Sequence, residues 1–187
     1  MELFGSFTSP YVRHCRVVLM QLGHPFTFVE TSYDESAQAS PTRRVPYLRD
    51  GDRFLTDSSS ILQYARKKAS QPFLADIDDA ERYYLVNTAL ESTVNVFQLE
   101  KDGVLPAQSP YLQRQAARTQ SILATLEAQK LEINGNATAD SVIRVACFMG
   151  WALFRKRIDF APYPKLAAFF DRATGIPHFA ETAPPAT

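Results

Sequence analysis

The chain has 187 residues, 45% of them hydrophobic and 12% aromatic, a content that supports a packed core and excludes a disordered chain. Its 20 Lys and Arg balance 20 Asp and Glu, so bulk charge offers no pull toward nucleic acid or an acidic membrane surface. The longest apolar stretch, "SVIRVACFMGWALF", holds Arg144 and is too short to span a bilayer; the start lacks the basic-then-apolar pattern of a secretory leader. A cytoplasmic protein with no membrane or nucleic-acid partner is the expectation.

In chain order, "ELFGSF" is a short β-rich run. "PYVRHCRVVLMQLG" has helical spacing, with Val12, Val17, Leu19 and Met20 among its apolar positions and Gly23 as its stop. "PFTFVET" is strand-like, with Phe26, Phe28 and Glu30 on one face. Residues 32–44 are polar and irregular, with room for a short helix. "VPYLRDGDRFLT" is a hairpin in which Asp50-Gly51 supplies the turn, and "DSSSILQYARKKA" opens a helix at a cluster of capping residues. The order is β-α-β, a connecting segment, then β-β-α, with the first two strands parallel neighbours.

After "SQPFLADIDDAE" the pattern becomes helical. "DAERYYLVNTALESTVNVFQLEKDG" is a long amphipathic helix ending at Gly103, and "SPYLQRQAARTQSILATLEAQKLEI" begins at a Ser-Pro start signal. "TADSVIRVACFMGWALFRKRI" is apolar on most faces, as a central bundle helix is. "YPKLAAFFDRATGIP" is short and ends near Gly175, and the tail "ETAPPAT" is expected to be loose. The clusters "ARKK" and "RKRI" read as solvated helix ends. Cys15 and Cys147 have neither disulfide-framework nor zinc spacing and read as small buried hydrophobes. Three scattered histidines show no metal-ligand spacing.

Ser9, directly before Pro10, carries two readings. A serine ahead of a proline at the first helical position caps the helix. A hydroxyl at the positive end of a helix is equally placed to meet a ligand's anion.

"SPYVRHCRVVL", "RRVPYL" and "DSSSILQYA" resemble, in order and approximate spacing, three segments of the soluble glutathione transferases: their "SPF…R…AL", "K-V-P-x-L" and "E-S-x-x-I-x-x-Y" runs. The resemblance covers nearly the whole chain. It implies a thioredoxin-like α/β domain over 1–70, a linker over 71–76 and an all-α domain over 77–187 that contributes the electrophile pocket. It also implies a homodimer, a role in detoxification, and glutathione as co-substrate with no metal.

On this resemblance Ser9 stabilises the glutathione thiolate, with Thr8 as an understudy hydroxyl and Phe7 nearby. Val45 pairs its backbone with the ligand's cysteinyl part ahead of a cis Pro46. Asp57 holds the ligand's ammonium, Ser58 grips its γ-glutamyl carboxylate, and Arg44, with Arg43 as the alternative, contacts its glycyl carboxylate. An ordinary strand-edge proline and a plain capping pair are the competing readings of Pro46 and of Asp57-Ser58. Relatives that exchange disulfides have cysteine where Ser9 stands, so the chain departs from that subgroup.

Arg13 and Arg16 read as solvated or interdomain charges, and His14 as a surface histidine. Asp140 matches the family's buried aspartate, a folding element, while Ala137 stands where its capping Ser or Thr belongs; Thr138 and Asn136 are the substitutes. Tyr83, Tyr84 and Phe97 read as core or as pocket-lining, and Trp151 as core. Two readings compete with the transferase: a non-catalytic glutathione-binding or interaction module, and a glutathione-dependent lyase, isomerase or peroxidase.

Overall fold

A computed structural model describes residues 1–185. In chain order it contains β1 (Glu2–Gly5), α1 (Pro10–Gln21), β2 (Thr27–Glu30), α2 (Tyr33–Ala39), β3 (Tyr47–Asp50), β4 (Arg53–Leu55) and α3 (Ser58–Lys68). There follow α4 (Ile77–Lys101), α5 (Pro110–Glu127), α6 (Asp140–Phe154) and α7 (Pro164–Asp171). The four strands form one sheet in the order β2-β1-β3-β4, with β1 parallel to β2 and the other pairs antiparallel. This is a thioredoxin-like α/β unit followed by a helical one.

The parallel pair β1–β2 runs in the register Leu3↔Phe28, as a strand–helix–strand crossover demands. α1 closes with a left-handed Gly23, whose N–H donates to the Met20 carbonyl while His24 N–H reaches Leu19. Gly103 ends α4 in the same manner. The hairpin turn sits one residue later than expected. Asp50 still pairs with Arg53, so Gly51-Asp52 forms the two-residue loop and Gly51 supplies the positive φ.

At Gly5 the end of β1 passes close under α1. A Cβ there would lie 2.5 Å from the Val12 side chain, so only a residue without one lets the strand end pass under the helix start. That approach positions the β1–α1 loop, and Ser9 with it. One apolar core runs through both halves, from Leu3, Val17 and Leu48 to Leu90, Phe148 and Phe169. α6 is buried along nearly its whole length, as its all-round apolar sequence requires.

Several expectations are corrected. α5 stops at Glu127, six residues before Ile133, because 128–134 turn away into an irregular segment. The segment 181–185 is not loose throughout: Thr182 is fully buried against α1. Residues 186–187 of the expected loose tail lie outside the described residues. Among the "ARKK" charges, Arg66 is buried and ion-paired to Asp140. No helix among the described residues is long and apolar enough to cross a membrane.

Candidate active site

Ser9 is the N-cap of α1: its backbone is extended and its Oγ accepts the Val12 N–H at 3.3 Å. Accepting that bond leaves its own proton available to donate. Pro10 takes the first helical position, and no acidic side chain occupies the first turn to compete for the dipole. Thr8 has a partner of its own, with Oγ1 3.1 Å from Ser6 Oγ. Phe7 packs against Phe28, and the Arg16 guanidinium lies over both rings at 4.9 and 5.0 Å.

The Val45-Pro46 peptide is cis, immediately ahead of β3. Pro46 is buried, Val45 half-buried, and Arg43 and Arg44 are both exposed. Arg43 adopts a positive φ of 54°. Asp57 is the N-cap of α3 and accepts the Ser59 N–H at 2.7 Å, while Ser58 begins the helix with 4% of its surface exposed.

The starts of α1 and α3 converge on one side chain, Arg144 of α6. Its Nη2 donates to Ser58 Oγ at 3.1 Å, and its guanidinium carbon lies 5.2 Å from the Tyr11 ring. Tyr11 in the first turn of α1 and Ser58 at the start of α3 are thus both neighbours of Arg144. Asp57 and Ser58 cap and open the same helix, and Val45-Pro46 precedes the strand next to β1.

The charged residues behind this neighbourhood depart from expectation. Arg13 is buried: its Nη2 donates to the Phe179 carbonyl at 2.8 Å, and its guanidinium carbon stacks 3.7 Å over the Phe179 ring. His14 is fully buried, with Nε2 3.3 Å from Asp140 Oδ1, because α1 packs its middle turn against α6. Burial, reinforced by the Arg144 charge, pushes its imidazole down to about 4, so it is neutral near pH 7.

Burial opposes ionisation of Asp140, but the His14 hydrogen bond and the Arg66 guanidinium outweigh it, and the carboxyl titrates below its ordinary range. Arg66 grips that carboxylate twice, at 3.1 Å each. Burial pushes the Cys15 and Cys147 thiols up to about 12 and about 11, so neither is a nucleophile. Neither forms a disulfide among the described residues.

The aromatic residues separate. Tyr83 is fully buried and bonded to Arg144, Tyr84 is 56% exposed, and Phe97 packs edge-on against Trp151. A cavity of about 620 Å³ lies between the segment after α5 and α7, lined by Leu131, Ile133 and Phe169 and by no residue of the α/β half. Among the described residues no group of three or more His, Cys, Asp or Glu could hold a metal ion.

Tyr83 proves to be core, as one of its two sequence readings has it, whereas nothing in the sequence singled out Arg144 as a site residue. The available signal was a lone arginine within an apolar helix, since such a charge must find buried partners.

Residues 3–73 match the family model for the glutathione S-transferase N-terminal domain. A glutathione S-transferase of Methylobacterium radiotolerans, solved in complex with glutathione sulfonate, superposes with a TM-score of 0.83 at 26% identity. That match covers 100% of this chain and 95% of the other. The uncharacterized GST-like protein YibF of Escherichia coli K12 is 27% identical, with 99% of each chain covered. The probable glutathione S-transferase GSTF2 of Oryza sativa subsp. japonica is 29% identical over 119 residues, 60% of this chain. The match spans only 52%, about half, of that rice protein's length. Residues 3–73 thus match a glutathione S-transferase N-terminal domain, and over its whole length the chain is similar to glutathione S-transferases and GST-like proteins.

Proposed function

We propose that the chain binds glutathione, holds its thiol as a thiolate at Ser9, and directs the sulfur at a hydrophobic electrophile. A free cysteine-type thiol ionises near about 8.5, and each unit of lowering needs roughly 1.4 kcal/mol of preference for the anion. The observation that carries the reading is the state of Ser9. Its Oγ accepts from the first turn of α1, its proton is free to donate, and it stands at the positive end of a helix with no competing acid.

The other handles follow the same logic. Ser58 at the start of α3 takes the γ-glutamyl carboxylate and Asp57 the ammonium. Val45, ahead of Pro46, pairs with the cysteinyl backbone, and exposed Arg44 reaches the glycyl carboxylate. The chain divides at a linker over 71–76, and the helical part, 77–187, contributes the electrophile pocket. It works as a cytoplasmic homodimer in detoxification.

The test is Ser9→Ala. Wild type is retained on immobilised glutathione, and ultraviolet titration of the complex finds the bound thiol ionising below its solution value. The variant still binds but loses about tenfold or more in kcat/KM toward an aryl halide, the equivalent of one unit of thiol pKa. An unchanged rate reduces Ser9 to a helix cap and overturns the assignment.

A further inference from the structure

Arg144 sits in α6 with its side chain fully buried and no carboxylate hydrogen-bonded to it. Nη2 donates to Ser58 Oγ at 3.1 Å and to Tyr83 Oη, while Nε and Nη1 have no hydrogen-bond partner among the described residues. The rings of Tyr83 and Tyr11, 4.8 and 5.2 Å from its guanidinium carbon, face it instead. Replacing a buried charge by an apolar side chain of similar volume is often neutral or favourable for stability. Folding alone is therefore a poor account of this residue.

A guanidinium has donors and no acceptor, which sets the direction of every bond around it. Ser58 Oγ accepts from Arg144, so its own proton must point elsewhere. Tyr83 Oη also accepts from Arg144 and shares a 3.0 Å hydrogen bond with Ser59 Oγ in which either hydroxyl can donate. Arg144 thereby leaves the Ser58 proton free to donate, and Ser58 and Ser59 carry the first two hydroxyls of α3. They stand beside the N–H groups of Ser58 and Ser60, which have no acceptor among the described residues; Ser59 N–H is taken by Asp57 and Ile61 N–H by the Asp57 carbonyl. Of the charges around it, the Asp57 carboxylate is engaged by the Ser59 N–H at the same helix start. Asp140 is held by Arg66, and His14 is neutral near pH 7.

We propose that Arg144 is the positioning residue of a carboxylate subsite at the start of α3: it occupies an acceptor site of Ser58 Oγ, leaving that hydroxyl to donate, and sets a desolvated positive charge behind it. The inference rests on the reading of Ser58 as the γ-glutamyl carboxylate contact and adds the origin of that selectivity. The helical half thus helps choose the ligand of the α/β half.

The experiment measures, by calorimetry, binding of glutathione and of its analogue with hydrogen in place of the γ-glutamyl α-carboxylate. Wild type favours glutathione by about tenfold or more, a difference of roughly 1.4 kcal/mol. Arg144→Met narrows that preference to about twofold with its melting temperature held or raised, whereas Arg144→Lys, which restores the charge, keeps most of the preference. An equal loss for both ligands, an intact preference in Arg144→Met, or a Lys variant no better than Met overturns the proposal. If the Met variant does not fold, Arg144→Leu, which likewise removes both the donors and the charge, carries the same comparison. Wild type that fails to bind glutathione at all sinks the proposed function, and this inference with it; wild type that binds both ligands equally sinks the inference alone.

Discussion

At the residue scale, His14 ties acid sensitivity to the packing of α1 on α6. The unfolded imidazole titrates near 6.5 and the folded one near 4, so between those values the unfolded chain binds more protons. Stability is fully present above about pH 6.5, falls as pH drops through that window, and loses no more from this group below about pH 4. The displacement corresponds to about 3 kcal/mol. His14→Gln keeps a side-chain donor for Asp140 and removes the titration. Denaturant melts from pH 7 to 4 are expected to show a flatter loss in the variant than in wild type. Equal slopes in both would place the acid sensitivity elsewhere.

At the element scale, α6 begins without a side chain of its own to cap it. Its N-cap is Ala139, and neither expected substitute serves: Thr138 Oγ1 donates to the Gly135 carbonyl and accepts the Asn134 N–H, while Asn136 makes no cap bond. The missing acceptor comes from another helix. Asp79, in the first turn of α4, accepts the Ser141 N–H at 3.1 Å and reaches back to the Ala75 N–H at 3.3 Å. One buried carboxylate thus holds two helix starts together. Asp79→Ala is expected to cost about 2 kcal/mol, the size of a hydrogen bond to a charged group, read as a lower urea midpoint with unchanged slope. A loss below about 0.5 kcal/mol would mean that water caps α6 equally well.

The same helix marks how far sequence reading reaches. The order of elements along the chain, the parallel β1–β2 pair, the Gly23 and Gly103 stops and the capping roles of Ser9 and Asp57 rest on local chemistry, and all were legible. The long-range partners of His14, Arg66, Asp79 and Arg144 lie from 61 to 126 residues away, as in Arg144–Tyr83 and His14–Asp140, and no local pattern encodes such pairings. A histidine between Arg13 and Cys15 looks like surface until α6 is laid over it.

At the scale of the whole molecule, the segment after α7 returns to clasp α1 and closes the chain onto its own beginning. Phe179, 3% exposed, lies under the Arg13 guanidinium, whose Nη2 takes the Phe179 carbonyl, and Arg13 Nε reaches Thr182 Oγ1 at 3.5 Å. Gln21, at the far end of α1, donates to the Pro177 carbonyl at 3.2 Å. The other side of Arg13 is closed by Gly150, where a Cβ would stand 2.6 Å from Nη1. Removing the aromatic ring leaves a cavity and an unstacked cation, so Phe179→Ala is expected to cost about 3–4 kcal/mol. For a chain of this length that lowers the melting temperature by about 10 °C. Deleting 177–187 is expected to cost at least as much, since it also strips the carbonyl acceptor from a buried guanidinium. Thr182→Val, which leaves that acceptor in place, should cost no more than about 1 kcal/mol. Calorimetric melts of the three variants check the order. A truncated chain as stable as wild type would show that α1 holds its place without the clasp.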